Sequence, residues 1–252
     1  MQLLFSVLAY SGAAAGLRQK QEWQAWLAAA SLPQGEVQLD AGHIPAMARR
    51  RLGRLAKMAV CVADDVLASA AAPDIPVVWG SRYGDAEKSL ALLRVHVQGQ
   101  EALSPTAFGL SVHNAVGSQH SILRGMRSNA LCVAGGQCAP EAAVVEALGL
   151  LHDGAPQVMC VVYDAPLPSP YDCFHDETML DLAWAVLLSL PQAGQPCFAL
   201  ERGASPDVVT TCTEERGLPH MLQVLRFLID PQQLALSFPL GTGQWTWRRA
   251  SA

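Results

Sequence analysis

Short apolar runs alternate along the chain with longer stretches whose apolar residues recur every three or four positions. The apolar runs, each bounded by glycine, proline or aspartate, predict strands at 3–9, 74–80, 128–133 and 158–163. Helical spacing predicts helices at 21–30, 46–70, 87–98, 111–125 and 140–152. This alternation indicates an α/β fold in layers, with much of the sheet buried on both faces.

The last third of the chain has a different pattern. Strands are predicted at 183–190, 197–201 and 244–248, and a single helix at 219–229. The proline-rich stretch 166–174 connects the two regions and is too short to separate domains. We therefore interpret residues 1–252 as a single domain.

The composition excludes several classes of protein. Hydrophobic residues make up 51% and charged residues 15%, which excludes a disordered chain and suggests an apolar surface that a partner covers. With a net charge of −5, the chain lacks the excess of basic residues that would favour binding to nucleic acid or to an anionic membrane. No apolar run reaches the roughly 18 residues of a membrane span. Because no Lys or Arg precedes Arg18, residues 3–9 are expected to form a core strand rather than part of a signal peptide.

The seven cysteines show neither a CxxC pair nor a secreted disulfide pattern, so we expect reduced thiols in the cytoplasm. His113 and His120 lie seven residues apart, which is not the spacing of a metal pair on a helix. No nucleotide-binding glycine motif is present. These patterns predict neither a metal nor a cofactor. Other charged clusters are expected to be solvated: Asp64–Asp65, His175–Asp176–Glu177 and Glu214–Glu215.

One cysteine lies where a nucleophile could be activated. Cys138 follows the turn 134–137 at the predicted start of a helix, whose dipole would lower a thiol pKa. A free cysteine is more often a buried, packed residue. Local patterns therefore leave both interpretations of Cys138 open.

A longer motif carries more information. Residues 104–117 read Ser-Pro-Thr-Ala-Phe-Gly-Leu-Ser-Val-His-Asn-Ala-Val-Gly, and Gly125 and Arg127 follow. This segment resembles the β-ketoacyl synthases of the thiolase superfamily, as do 51–70 and 77–85 upstream. The resemblance covers residues 1 to about 165. It implies a thiolase-like layered α/β fold in which the C-terminal half, 166–252, is truncated or abbreviated.

The same resemblance indicates what this chain lacks. Counting without a gap from Asn114 and Arg127 places Gln137 where those enzymes carry their nucleophilic cysteine. A carboxamide cannot accept an acyl chain as a thiolate does. The family's two catalytic histidines also have no counterpart, because His175 and His220 lie in different surroundings. We therefore expect no condensation by this chain alone.

A glutamine in the nucleophile position resembles the chain-length factors, and short chains of this type resemble those of bacterial aryl polyene pathways. The resemblance implies a non-catalytic subunit that pairs with a full-length β-ketoacyl synthase and shapes its acyl tunnel. An acyl carrier protein would act through the complex. The expected tunnel residues are Thr106, Ala107 and Phe108. The expected interface residues are Val112, His113, Asn114, Ala115, Val116, Leu131 and Val133.

Three alternatives stay open at this point. Some ketosynthase domains with glutamine for cysteine decarboxylate malonyl groups on a carrier protein, although that chemistry needs the histidine pair. A thiol enzyme that uses Cys138 is a second alternative. The third is a homodimer without a ketosynthase partner.

Overall fold

The computed structural model describes residues 2–99, 102–204 and 217–251, so the pair Glu214–Glu215 lies outside the described residues. The strands are β1 (Gln2–Ala13), β2 (Val77–Gly80), β3 (Ala130–Val133), β4 (Val158–Asp164), β5 (Leu182–Ser189), β6 (Cys197–Ala204), β7 (Ala235–Leu240) and β8 (Gly243–Ala250). The helices are α1 (Lys20–Ala28), α2 (Ala46–Arg51), α3 (Arg54–Leu67), α4 (Ala86–Gln98), α5 (Pro105–Ser111), α6 (Ala115–Arg124), α7 (Ala139–His152) and α8 (His220–Ile229).

All eight strands form one sheet in the order β3-β2-β4-β5-β1-β6-β8-β7. The first three are parallel, because helices carry the chain back across the sheet between them. The remaining neighbours pair antiparallel. Strand β1 lies between β5 and β6, so residues 1–165 and 166–252 contribute to the same sheet. The one-domain interpretation itself stays a prediction.

Both faces of the sheet are covered, which explains the unbroken apolar run of β4. Met159 and Val161 pack with α3 in one cluster, whereas Cys160 and Val162 pack with α7 and α8 in the other. Every residue of β4 is buried, because alternate side chains enter opposite layers. The prediction of a layered α/β fold is confirmed.

Several predicted boundaries were wrong. The helix expected at 46–70 is divided into α2 and α3, because Leu52 and Gly53 have extended backbone between them. The helix expected at 111–125 begins only at Ala115. Before it, Ser104 caps a separate helix, α5: its Oγ accepts the Ala107 N–H at 3.3 Å, and Pro105 occupies the first turn. Strand β7 was not predicted.

Candidate functional site

Three parallel strands end at the same edge of the sheet, and polar residues follow each of them. Ser81 and Arg82 come after β2, the turn 134–138 comes after β3, and Asp164 ends β4. Parallel strands place their carboxyl ends together, which is where α/β proteins bind ligands. This edge is the candidate site.

Close packing shapes the turn after β3. Gly136 has a φ of +57°, a conformation that side chains other than glycine rarely adopt. A Cβ on Gly135 would lie 2.6 Å from the Cys138 carbonyl oxygen and 2.7 Å from the Ala142 Cβ. The two glycines therefore let the strand meet the start of α7 closely, and Gln137 lies half-buried in this turn.

The side chain of Gln137 is held by an acidic residue that sequence patterns had assigned to solvent. Gln137 Nε2 donates a hydrogen bond to Asp176 Oδ2 at 2.7 Å. Arg82 forms an ion pair with Asp176, and its other terminal nitrogen lies 3.6 Å from Glu177 Oε1. Asp176 is solvated as expected, with 43% of its side chain exposed, but the sequence patterns missed that Arg82 folds onto the carboxylates of both Asp176 and Glu177.

Asp164 anchors the turn after β2. Its carboxylate accepts hydrogen bonds from the Ser81 hydroxyl at 2.9 Å and from the Arg82 backbone N–H at 2.9 and 3.0 Å. Burial raises the pKa of Asp164 to about 6, although these donors and the Arg82 charge oppose the rise. The carboxylate is thus buried and held in place at the centre of the strand ends.

The thiols near the site are unsuited to nucleophilic attack. Only 5% of Cys138 is exposed, and burial, followed by the nearby Glu141, raises the pKa of its thiol to about 12. Burial also raises the pKa of Cys132 to about 11. A thiolate is the reactive form of cysteine. The helix start at Cys138 therefore does not activate it, and the burial of this residue supports the packed-thiol interpretation.

The two histidines of the C-terminal region have other partners. His175 Nε2 accepts the Leu167 backbone N–H at 3.0 Å. His220 Nε2 lies 2.7 Å from Glu141 Oε1, and this same oxygen accepts the Trp247 indole N–H at 2.8 Å. Glu141 is fully buried, so this network fastens α7 to α8 and β8. Nothing in this arrangement favours the decarboxylase alternative.

The expected tunnel residues lie on α5, a short helix without a single buried residue. Thr106, Ala107 and Phe108 are all exposed in this chain. A cleft of about 320 Å³ runs between α4 and α5, and Ala107 and Leu110 line one side of it opposite Leu92 and Val95. Ala107 thus lines an apolar space, whereas the side chain of Phe108 is 58% exposed.

The expected interface residues divide into three groups. Ala115 and Val116 are buried in the core of this chain, so they support α6 from within and offer little surface. Val112 and His113 precede α6, and His113 Nε2 donates to the Ser81 carbonyl oxygen at 2.9 Å. The remaining residues are at least partly exposed: Asn114 at the start of α6, and Leu131 and Val133 on β3, the end strand of the sheet.

Sequence patterns missed the role of Asp64. This residue on α3 accepts hydrogen bonds from His120 at 3.2 Å and from Arg124 Nε at 2.6 Å, both on α6. His43 Nε2 lies 2.9 Å from its other oxygen. The expectation that Asp64 is a surface residue was wrong, because α6 packs over it. The helical spacing of residues cannot reveal the contacts of Asp64, because its partners lie far from it in the sequence.

Two further findings concern metal sites and membrane-spanning helices. Within residues 2–99, 102–204 and 217–251, no three His, Cys, Asp or Glu side chains are grouped to hold a metal ion. No helix in that same part of the chain is long and apolar enough to cross a membrane.

The fold agrees with a match to a known family. The family model described as "Beta-ketoacyl synthase, N-terminal domain" matches residues 23–248. The chain therefore belongs to this family, and its architecture is the thiolase-like fold of ketosynthases. No curated protein sequence gives a significant match.

Solved structures add detail. A chain in the complex of the ketosynthase ApeO with its chain length factor ApeC from Xenorhabdus doucetiae is 26% identical, with a TM-score of 0.81. That match covers 98% of this chain and 100% of the other. A β-ketoacyl synthase from Burkholderia phymatum STM815 is 14% identical, with a TM-score of 0.62, over 85% of this chain and 67% of that one. The ishigamide ketosynthase/chain length factor is 13% identical, with a TM-score of 0.57, over 82% of this chain and 64% of that one.

Proposed function

We propose that this chain is a non-catalytic chain-length factor that pairs with an active, full-length β-ketoacyl synthase. The observation that carries the proposal is the turn at the strand ends. Gln137, which the family resemblance places at the nucleophile position, has its carboxamide hydrogen-bonded to Asp176, and the neighbouring Cys138 thiol is buried with a pKa of about 12. A site without a thiolate leaves the condensation to another subunit.

Similarity to a ketosynthase–chain length factor pair supports the same role. This chain matches a chain of the ApeO–ApeC complex over 98% of its own residues and 100% of the other. The product class, an aryl polyene or another polyketide or fatty acid-like chain, is part of the proposal, as is an acyl carrier protein that acts through the complex.

An unpartnered apolar surface supports a protein partner. Leu93 and Val97 on α4, Leu103 and Phe108 around α5, and Ile122 on α6 are each at least 40% exposed. They lie on or next to elements that contact one another, α4 with α5 and α5 with α6, and exposed apolar side chains on neighbouring elements are typical of protein interfaces. Strand β3, which contacts α6, ends the sheet and offers unpaired backbone groups to a second chain. We place the complex in the cytoplasm, in keeping with the free cysteines among the described residues.

The interface is tested by introducing one charge on each of two comparable surface residues. Ile122 on α6 is 74% exposed, and Leu234, which precedes the far end strand β7, is 71% exposed. Ile122→Asp should weaken co-purification with the proposed full-length ketosynthase partner at least about tenfold, because a desolvated charge is costly at an interface. Leu234→Asp should leave it unchanged. Equal binding by both variants would contradict the proposed surface.

The tunnel is tested at Ala107, which lines the cleft between α4 and α5. Ala107→Phe fills that cleft, so the reconstituted complex should release shorter chains at similar total turnover. Ala107→Ser adds a single oxygen atom and should keep the chain length of the wild type. Chromatography and mass spectrometry measure the products. Unchanged length from an assembled Ala107→Phe complex would remove Ala107 from the tunnel.

A further inference from the structure

The segment Tyr171–Glu177, called here the closing segment, lies against both turns of the candidate site. Its Phe174 carbonyl oxygen accepts the Tyr83 hydroxyl at 3.2 Å, next to the turn after β2. Two residues later, Asp176 accepts the Gln137 amide at 2.7 Å from the turn after β3. The closing segment therefore bridges the turns that follow β2 and β3.

The charges around Asp176 explain why it stays in place. Its side chain is 43% exposed, so burial alone does not hold it. The Arg82 side chain, only 11% exposed, forms an ion pair with it and lies 3.6 Å from Glu177. The hydrogen bond and charge of Arg82 lower the pKa of Asp176. Glu177 in turn accepts the His220 backbone N–H at 2.8 Å, which ties the closing segment to the start of α8.

We propose that Gln137 is a positioning residue whose carboxamide, by donating to Asp176, keeps the closing segment shut over the turn 134–138. The residue at this position must be long enough to reach Asp176 and must present an N–H donor to its carboxylate. A glutamate there would place a second negative charge beside Asp176, and a cysteine is shorter and a weak donor. In this proposal the glutamine that stands in place of a nucleophilic cysteine also fixes the position of the closing segment. This role does not depend on a partner subunit.

Hydrogen exchange of the closing segment tests the latch, with protection corrected for intrinsic rates at each pH. The full-length chain is used as it purifies, in complex if it purifies so. At pH 7, Gln137→Glu should lower the protection of residues 171–177 about tenfold, because two carboxylates face each other. As the pH falls toward 5, the two carboxylates can share a proton, and protection should return.

Two further variants make the result decisive. Gln137→Met keeps the length and lacks the donor, so it should lower protection at every pH, and it also serves if Gln137→Glu does not fold. Asp172→Ala removes a charge from the same closing segment, and the Asp172 side chain makes no ion pair with the described residues, so protection should be unchanged. Wild-type protection in Gln137→Met, or an equal loss in Asp172→Ala, would overturn the proposal. Neither result would bear on heterodimer formation, which is measured separately.

Discussion

Replacing Asp64 with asparagine should weaken the packing of α6 on α3. The Asp64 side chain is 12% exposed and receives Arg124, His120 and His43. In Asp64→Asn the volume is kept, but the charge is lost, and one of the two acceptor oxygens becomes an NH₂ group. Oδ1 receives His120 and Arg124 Nε, and Oδ2 receives His43 and a second Arg124 nitrogen, so whichever oxygen is replaced, donors then face donors.

The magnitude follows from burial. Breaking a buried ion pair by removing one partner costs about 3–5 kcal/mol. Arg124 is 26% exposed and His43 is 44% exposed, so water compensates part of that loss. We expect Asp64→Asn to lower the free energy of unfolding by about 2–3 kcal/mol at pH 7.

The pH dependence gives a second, independent signature. Burial alone would raise the pKa of Asp64, but hydrogen bonds from His120, Arg124 and His43 hold it well below its usual value of 3.8. A lowered folded-state pKa stabilises the protein above the unfolded pKa, and this contribution is lost as the pH falls below about 3.8. The difference between wild type and Asp64→Asn should therefore shrink in acid.

Urea denaturation followed by circular dichroism measures both effects. The matched control is Asp65→Asn on the next residue, whose side chain is 47% exposed and pairs with Arg18 at 2.6 Å. An exposed pair of this kind is worth at most about 1 kcal/mol. If Asp64→Asn costs no more than Asp65→Asn, the assignment of Asp64 as the residue that holds α6 is refuted.

Two further predictions concern the strand ends. Gly135→Ala should lower the free energy of unfolding by about 1–3 kcal/mol, because the new Cβ meets the backbone at the start of α7. The control Gly149→Ala, at an exposed position within α7 where no atom lies in the way, should raise it by up to about 1 kcal/mol. Thermal unfolding compares the two variants, and equal effects would contradict the close packing of the turn. Since burial raises the pKa of Asp164 to about 6, the folded state takes up its proton first, so lowering the pH from 7 to 4 should add about 2 kcal/mol of stability. Asp164→Asn should lack this gain in a urea titration, and an unchanged profile would argue against the buried carboxylate.

Local patterns in the sequence determined most of the elements. The apolar runs at 74–80, 128–133 and 158–163 became β2, β3 and β4. Strands β2 and β4 are buried along their whole length, and a strand buried on both faces must be apolar throughout. The motif at 104–117 indicated the ketosynthase family, and the family model matches most of the chain. Where local signals conflict, the prediction failed: Leu52–Gly53 interrupts a helical pattern, and Ser104–Pro105 starts a helix that the periodicity did not reveal.

Only the tertiary structure decided which charged residues matter. Asp64 and Asp176 look like solvated carboxylates in the sequence, yet each is held by an arginine far along the chain, Arg124 and Arg82. The physical reason is that an ion pair depends on distance in space, which chain folding sets, and no spacing rule connects residues that lie 60 or 94 positions apart. In the same way, counting placed Gln137 at a nucleophile position, but its bond to Asp176 exists only because β2, β3 and β4 end at one edge of the sheet.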